Sequence, residues 1–242
     1  MSVNNSIEEY IRGFRHAFHH FLGSYEVLFP LFSFKLLVFS REALELLPKP
    51  TDEICITGPA RSANTFLTKS FMMWNPSASV AHHMHVPIMV ARAAKWNIPC
   101  VVLLRLPEDA LTSALAAEDM AVNFLLFSYT NFYRTIERYL DKILILTFED
   151  ATQRPEVIRP RLERKFQKTF HALPLTDAER QSIFSTIRKN GKRKKKYLIA
   201  IPDEEKEKRK AEVKEHVLSH RLYPNALEVY IRWSQFEERQ FD

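Results

Sequence analysis

The stretch ICITGPARSANTFLTKSF, residues 54–71, decides how the chain is read. Four β-prone residues run into Gly58-Pro59, then a short polar turn, then a helical pattern beginning near Asn64. A buried strand, a tight turn and a helix N-terminus in that order build a phosphate-binding loop, because the first backbone N–H groups of the helix point at the ligand. Set against G-x-x-x-x-G-K-[ST], the spacing from Gly58 to Thr65 is right, but Ala63 and Asn64 stand where Gly and Lys are expected. Without that lysine, a loop of this length is poorly equipped to reach the β- and γ-phosphates of a nucleoside triphosphate. Arg61 is a cation that can serve a single phosphate instead, with Ser62, Asn64 and Thr65 as polar helpers.

Outward from this loop, strands alternate with helices. EICIT is followed by a helix over 64–73, a short strand near 79–83 and a helix over 87–96. CVVLLR at 100–105 is a continuous apolar run, as a strand covered on both faces requires. Helices over 107–117 and 122–140 lead to a further strand, KILILTF, at 142–148. This order predicts an α/β fold with a central parallel sheet flanked by helices on both faces. Beyond it the pattern is helical at 155–170 and 176–188. The charged segment 202–220 predicts an exposed helix with i,i+4 ion pairs, and a last helix starts near Asn225. One domain is expected, with a helical N-terminal region (1–50), an α/β core (53–188), and a basic loop with C-terminal helices (189–242).

The chain has 242 residues and a formal charge of +6, which invites an anionic partner. Part of the charge sits in RKNGKRKKKY, 188–197. No helix-turn-helix, RRM or zinc module accompanies it, so nucleic acid is not the expected partner. Cys55 and Cys100 both lie in apolar strand-like runs and read as buried free thiols of a reducing compartment. With no signal-peptide pattern at the N-terminus, and Pro30 and Lys35 interrupting the short apolar run 27–39, a soluble cytoplasmic protein is expected. Phe14, Phe18, Phe21 and Tyr25 recur at helical spacing. Packing of these rings into the core is the first expectation, and contact with a membrane surface or an apolar acceptor is the second.

A second polar cluster lies in VVLLRLPEDALTSAL. Arg105 falls at the carboxyl end of a buried strand, the edge where open α/β sheets bind ligands. Pro107 opens the next helix and Ser113 lies about two turns into it. A guanidinium cannot be neutralised, so Arg105 needs an anion or a carboxylate; Glu149 or Asp150 at the end of the next strand is the structural partner expected of it.

Together these stretches resemble the two cofactor motifs of the sulfotransferases that use 3′-phosphoadenosine 5′-phosphosulfate (PAPS). The family's P-K-S-G-T-T-W loop lies on Arg61, Ser62, Ala63, Asn64, Thr65 and Phe66, and its R-N-P-x-D-x-x-x-S motif on Arg105, Leu106, Pro107, Asp109 and Ser113. The family's Y-E-D-L is matched by Phe148, Glu149, Asp150 and Ala151, and its K-T-H-L-P by His83, Met84, His85, Val86 and Pro87. The resemblance spans roughly residues 53–185. It implies that residues 61–66 bind the 5′-phosphosulfate, that Arg105 and Ser113 bind the 3′-phosphate, and that His85 is the catalytic base. The family's C-terminal R-K-G has no clean match, and Arg193 in the basic run is the candidate to replace it.

The implied reaction is sulfonate transfer to a hydroxyl or amine, with adenosine 3′,5′-bisphosphate as product, Arg61 stabilising the leaving group and no metal. His82, His83 and a carboxylate compete with His85 as base. Its ordinary pKa near 6.5 predicts loss of activity over pH 6–7. The aromatic N-terminus points to an apolar or lipid-like acceptor and to peripheral membrane contact. Two other readings stand beside this one. A nucleotide or small-molecule kinase would need a Mg²⁺ carboxylate at Glu149 or Asp150, and a non-catalytic adaptor would use the 192–196 basic run.

Overall fold

A computed structural model describes residues 3–117, 120–172, 174–190 and 204–241. The N-terminal region holds helices α1 (Val3–Leu22), α2 (Phe29–Phe39) and α3 (Arg41–Leu44). The core follows as β1 (Ile54–Thr57), α4 (Asn64–Trp74), β2 (Val80–His82), α5 (Ile88–Lys95), β3 (Cys100–Leu104), α6 (Pro107–Ala117), α7 (Val122–Ile136) and β4 (Ile143–Thr147). Helices α8 (Phe148–Thr152), α9 (Ile158–Phe166), α10 (Asp177–Asn190), α11 (Glu204–Leu218) and α12 (Tyr223–Arg239) complete the described chain.

The four strands form one all-parallel sheet in the order β2-β1-β3-β4. Strands β1, β3 and β4 are buried almost throughout, which is why they read as apolar runs. Alternation divides their side chains between two cores. Cys55, Cys100, Val102, Leu104, Ile143 and Ile145 pack with α5, α6, α7 and α12. Ile54, Ile56, Val101, Leu103, Leu144 and Leu146 pack against Leu67 and Phe71 of α4 and Ile158 and Leu162 of α9. The expected α/β fold with helices on both faces is therefore present. Cys55 and Cys100 are buried free thiols side by side on β1 and β3.

Three elements depart from the sequence reading. Helix α7 stops at Ile136, and a 3-10 segment, Glu137–Lys142, with a kink at Tyr139 turns the chain into β4. Phe148 leaves the strand to start α8, because Thr147 and Asp150 cap that helix reciprocally. The largest departure is α1. Its aromatic stripe of Phe14, Phe18, Phe21 and Tyr25 is exposed, against the expectation of core packing. The inward face carries Gly13, His20 and Ser24 instead. Gly13 brings the helix close against the Phe124 ring, and Asn131 of α7 donates to the Ser24 hydroxyl at 2.6 Å. Small and polar residues make that contact closely, which leaves the rings outside.

Gly23, just past α1, positions this region against the core. Its carbonyl accepts the Ile88 N–H at 2.7 Å, and a Cβ at 23 would lie 2.8 Å from the Cβ of Val86. No single described helix is long and apolar enough to cross a membrane; α1 and α2 satisfy length and composition only as a pair, and they are bent by 108°.

Asp150 is the most committed carboxylate of the core. It is 0% exposed, caps α8, and is ion-paired to Arg154 at 2.8 Å and to Arg161, which also reaches Glu237 of α12. Removing one partner from a buried pair strands the other charges. Asp150→Ala should therefore lower unfolding stability by about 3–5 kcal/mol, read from denaturant midpoints. A loss under about 1 kcal/mol would show that Asp150 is not a structural anchor.

Candidate functional site

Helix α4 leaves β1 on one face of the sheet, while α6 leaves β3 on the other. Adjacent parallel strands whose connections diverge in this way open a crevice at their carboxyl ends. The loop 58–63 and Arg105 form its two walls.

The loop is held in a form few residues accept. Gly58 has φ 157°, and a Cβ there would meet the Leu103 carbonyl oxygen at 2.8 Å. Arg61 and Ala63 take left-handed φ values of 66° and 67°. Such non-glycine positions cost on the order of 1–3 kcal/mol each and gather at functional sites. Ala63, the N-cap of α4, occupies the family's glycine position and holds the left-handed geometry despite its Cβ. The Asn64 amide donates to the Gly58 and Pro59 carbonyls at 3.3 and 2.8 Å, so its donors are spent shaping the loop. Phe66 packs on Ile183, Ile187 and the Phe184 ring, docking α10 beside the loop. Thr65 is half-buried on the first turn of α4.

Buried polar atoms without partners concentrate here. Among the described residues, Thr57 Oγ1, Ser62 Oγ, Asn64 Oδ1, Thr68 Oγ1 and Arg105 Nε all lack a hydrogen bond. A native fold rarely leaves such groups unmet, so a cluster around one loop points to a polar ligand.

Arg105 is placed differently from its sequence expectation. Asp150 is consumed by Arg154 and Arg161, and Arg105 forms no ion pair among the described residues. Its guanidinium instead stacks on Phe148, with Cζ 3.9 Å from the ring centre, and donates through Nη1 to the Arg61 carbonyl at 2.5 Å. The Tyr129 hydroxyl donates to the Arg105 carbonyl at 2.6 Å and fixes its backbone. Stacking and a neutral acceptor orient the guanidinium, while Asp109, Glu149 and Glu207 favour its charged form from a distance without pairing with it. Ser113 is buried on α6.

Sequence reasoning missed Lys206. Helix α11 was expected to be solvated, and it does carry exposed pairs such as Glu207–Lys210. It also lies along α6, tied by the Lys214–Glu108 pair at 2.5 Å, and turns Lys206 and Val217 inward. Lys206 is 7% exposed. Burial first, then the charges of Arg61 and Arg105, pull its pKa down to about 8. The signal was the register, since Lys206 lies on the helical face of Val213 and Val217. Arg193 lies outside the described residues, as does the 192–196 run on which the adaptor reading depends.

The histidines face the loop from β2. His83 and His85 both have positive φ, 80° and 50°, and their rings are 5.8 Å apart. His85 Nδ1 is 2.9 Å from the Gly58 carbonyl oxygen. A carbonyl can only accept, so Nδ1 carries the proton and Nε2 keeps its lone pair. Desolvation, then His83, lowers the His85 pKa to about 4, only partly offset by the Gly58 carbonyl. This corrects the expected ionisation at pH 6–7: the ring is neutral across the physiological range. His82 is held near 4 by burial and His83, and its Nδ1 contacts that of His83 at 3.3 Å.

A cavity of about 360 Å³ runs from this cluster toward the N-terminal helices, lined among others by Ala60, His83, His85, His19, Lys35 and Phe39. Its size suits a small polar head rather than a whole lipid. Compared with known proteins, the chain matches no family model and no curated protein.

Lys206 tests the cation cluster. Removing a buried charge that two arginines repel should stabilise the unliganded protein, so Lys206→Met is expected to raise Tm while weakening binding of adenosine 3′,5′-bisphosphate about tenfold or more. The wild-type pKa of about 8 lies below the unfolded value of 10.5, so unliganded stability should rise between these pH values as the folded lysine loses its proton. Bisphosphate affinity should fall over the same range. Calorimetric titrations of both proteins, in which Lys206→Met lacks this pH dependence, check the assignment.

Proposed function

We propose that this protein transfers a sulfonate group from PAPS to a hydroxyl or amine acceptor. The observation that carries the reading is the meeting of two features in one crevice. Among the described residues Arg105 and Lys206 form no carboxylate pair, and they share the crevice with a neutral imidazole that meets the Gly58 carbonyl through Nδ1 rather than Nε2. A nucleotide with two separate anionic groups suits the first, and an acceptor proton suits the second.

Arg61 and the first turn of α4, with Ser62 and Thr65, would hold the 5′-phosphosulfate. Arg105, Ser113 and Lys206 would hold the 3′-phosphate. His85 Nε2 removes the acceptor proton as the new bond to sulfur forms, and its Nδ1–H bond to Gly58 keeps the ring in the correct tautomer. Opposite the acceptor, the bond from sulfur to the phosphate oxygen breaks, and Arg61 meets the charge that develops there. The cavity behind His83 and His85 would admit the acceptor. Kinase chemistry is supported less well, because Asp150 is consumed by structural ion pairs and Glu149 alone is left to hold a metal.

Three measurements test this reading. Arg105→Ala should weaken 3′-phosphorylated nucleotides by roughly 10–150-fold and nucleotides lacking that phosphate far less. Equal losses would overturn its role. His85→Asn should keep the affinity for adenosine 3′,5′-bisphosphate and slow single-turnover transfer by about 10²–10⁴-fold, with His82→Asn as the control. The base is lost only below its folded pKa of about 4, so the wild-type rate should stay level down to about pH 5 and fall through pH 4. A midpoint near 6.5 would move the role to a different group.

A further inference from the structure

We propose that the outer face of α1 and α2 seats the protein on a lipid bilayer surface. Thirteen of the fifteen exposed large hydrophobic side chains among the described residues lie between Ile7 and Phe39, the other two being Phe127 and Ile231. They include Val27 at 82%, Phe39 at 78%, Phe34 at 65% and Phe14 at 62% exposure. Together they present apolar surface on the order of 1,000 Å², against the roughly 300–600 Å² of the largest patch on a typical monomer. The pattern is not a loosely packed core, since Phe32 and Leu36 of α2 and Leu22 of α1 fill the inward positions.

Two observations select a bilayer over a protein surface. The first is hydropathy. Tyr10–Leu22 and Glu26–Phe39 together meet the length and composition of a membrane-associated pair, and the formal charges over residues 7–42 balance, Arg12, Arg15, Lys35 and Arg41 against Glu8, Glu9, Glu26 and Glu42. Apolar, aromatic-rich helices of this kind lie in a lipid interface. The second is continuity with the site. Lys35 and Phe39 of α2 line the same cavity as His83 and His85. The cavity takes only a small head, and the apolar face beside it would keep a tail in the bilayer. On the sulfotransferase reading, the acceptor is then an amphipathic molecule that offers its hydroxyl or amine to His85 from the membrane side. The 108° bend between α1 and α2 lets both lie along the surface.

The test is flotation of the purified 242-residue chain with vesicles of phosphatidylcholine, and of phosphatidylcholine mixed with phosphatidylserine, without nucleotide. Binding of similar strength is expected to both. Phe34→Ser combined with Val38→Ser, both at exposed positions outside the cavity lining, should lower partitioning at least about tenfold on either vesicle. Unchanged thermal stabilisation by adenosine 3′,5′-bisphosphate shows that the double variant is folded and that the nucleotide site is independent of docking. Absence of vesicle binding overturns the proposal. So does a self-association in light scattering that the Phe34/Val38 variant abolishes while vesicles bind it normally, because a second copy then covers the face. Resistance of bound protein to alkaline carbonate also overturns it, in favour of insertion. Docking is read without nucleotide, so its failure leaves the transfer reading intact, and failure of bisphosphate binding leaves docking intact.

Discussion

Two neighbouring parallel strands whose following helices leave to opposite faces cannot close the space above their carboxyl ends. In this protein those strands are β1 and β3, and the polar chemistry is arranged around the opening. The hydrogen bond from Arg105 to the Arg61 carbonyl bridges it and joins the two walls. Gly58, with its close approach to Leu103, lets the loop lean far enough over β3 for that bond to form. Behind the loop the two cores are dense and apolar, which fixes the strand ends and hence the side chains they carry.

The electrostatics of the crevice follow from this geometry. Arg105 is oriented by an aromatic face and a carbonyl, neither of which cancels its charge. Lys206 is brought beside it by a helix distant in sequence, and burial makes that lysine's proton easier to lose. Folding thus retains a local repulsion that an anionic ligand would relieve, a common exchange of stability for binding. The same burial acts on His85 with the opposite chemical consequence, since a neutral imidazole is the useful form of a base.

The N-terminal helices show a different compromise. Helix α1 and the turn after it use Gly13, His20 and Ser24 to approach α7. Its aromatic side chains are therefore turned outward, where water is an unfavourable neighbour. Helix α2 is apolar on both sides, with Phe32 and Leu36 inward and Leu31, Phe34 and Val38 outward. Both helices border the cavity that reaches His85, so the exposed face and the site share one entrance.

What the sequence determined by itself were the local and periodic features. Strands β1, β3 and β4 are written as apolar runs, because burial on both faces leaves polar residues only at their carboxyl ends. The turn after Thr57 and the helix from Asn64 are written in residue type, and Arg105 is marked by its place at a strand end. The tertiary structure decided which side of a helix meets the core and which distant groups meet one another. The spacing of Phe14, Phe18, Phe21 and Tyr25 defines a face but not its direction, which depended on whether α7 would accept rings or small residues. Lys206 could not be paired with Arg61 and Arg105 from spacing, because their proximity depends on how α11 lies along α6. The pKa of His85 was likewise beyond sequence, since desolvation depends on the packing of neighbours drawn from separate parts of the chain.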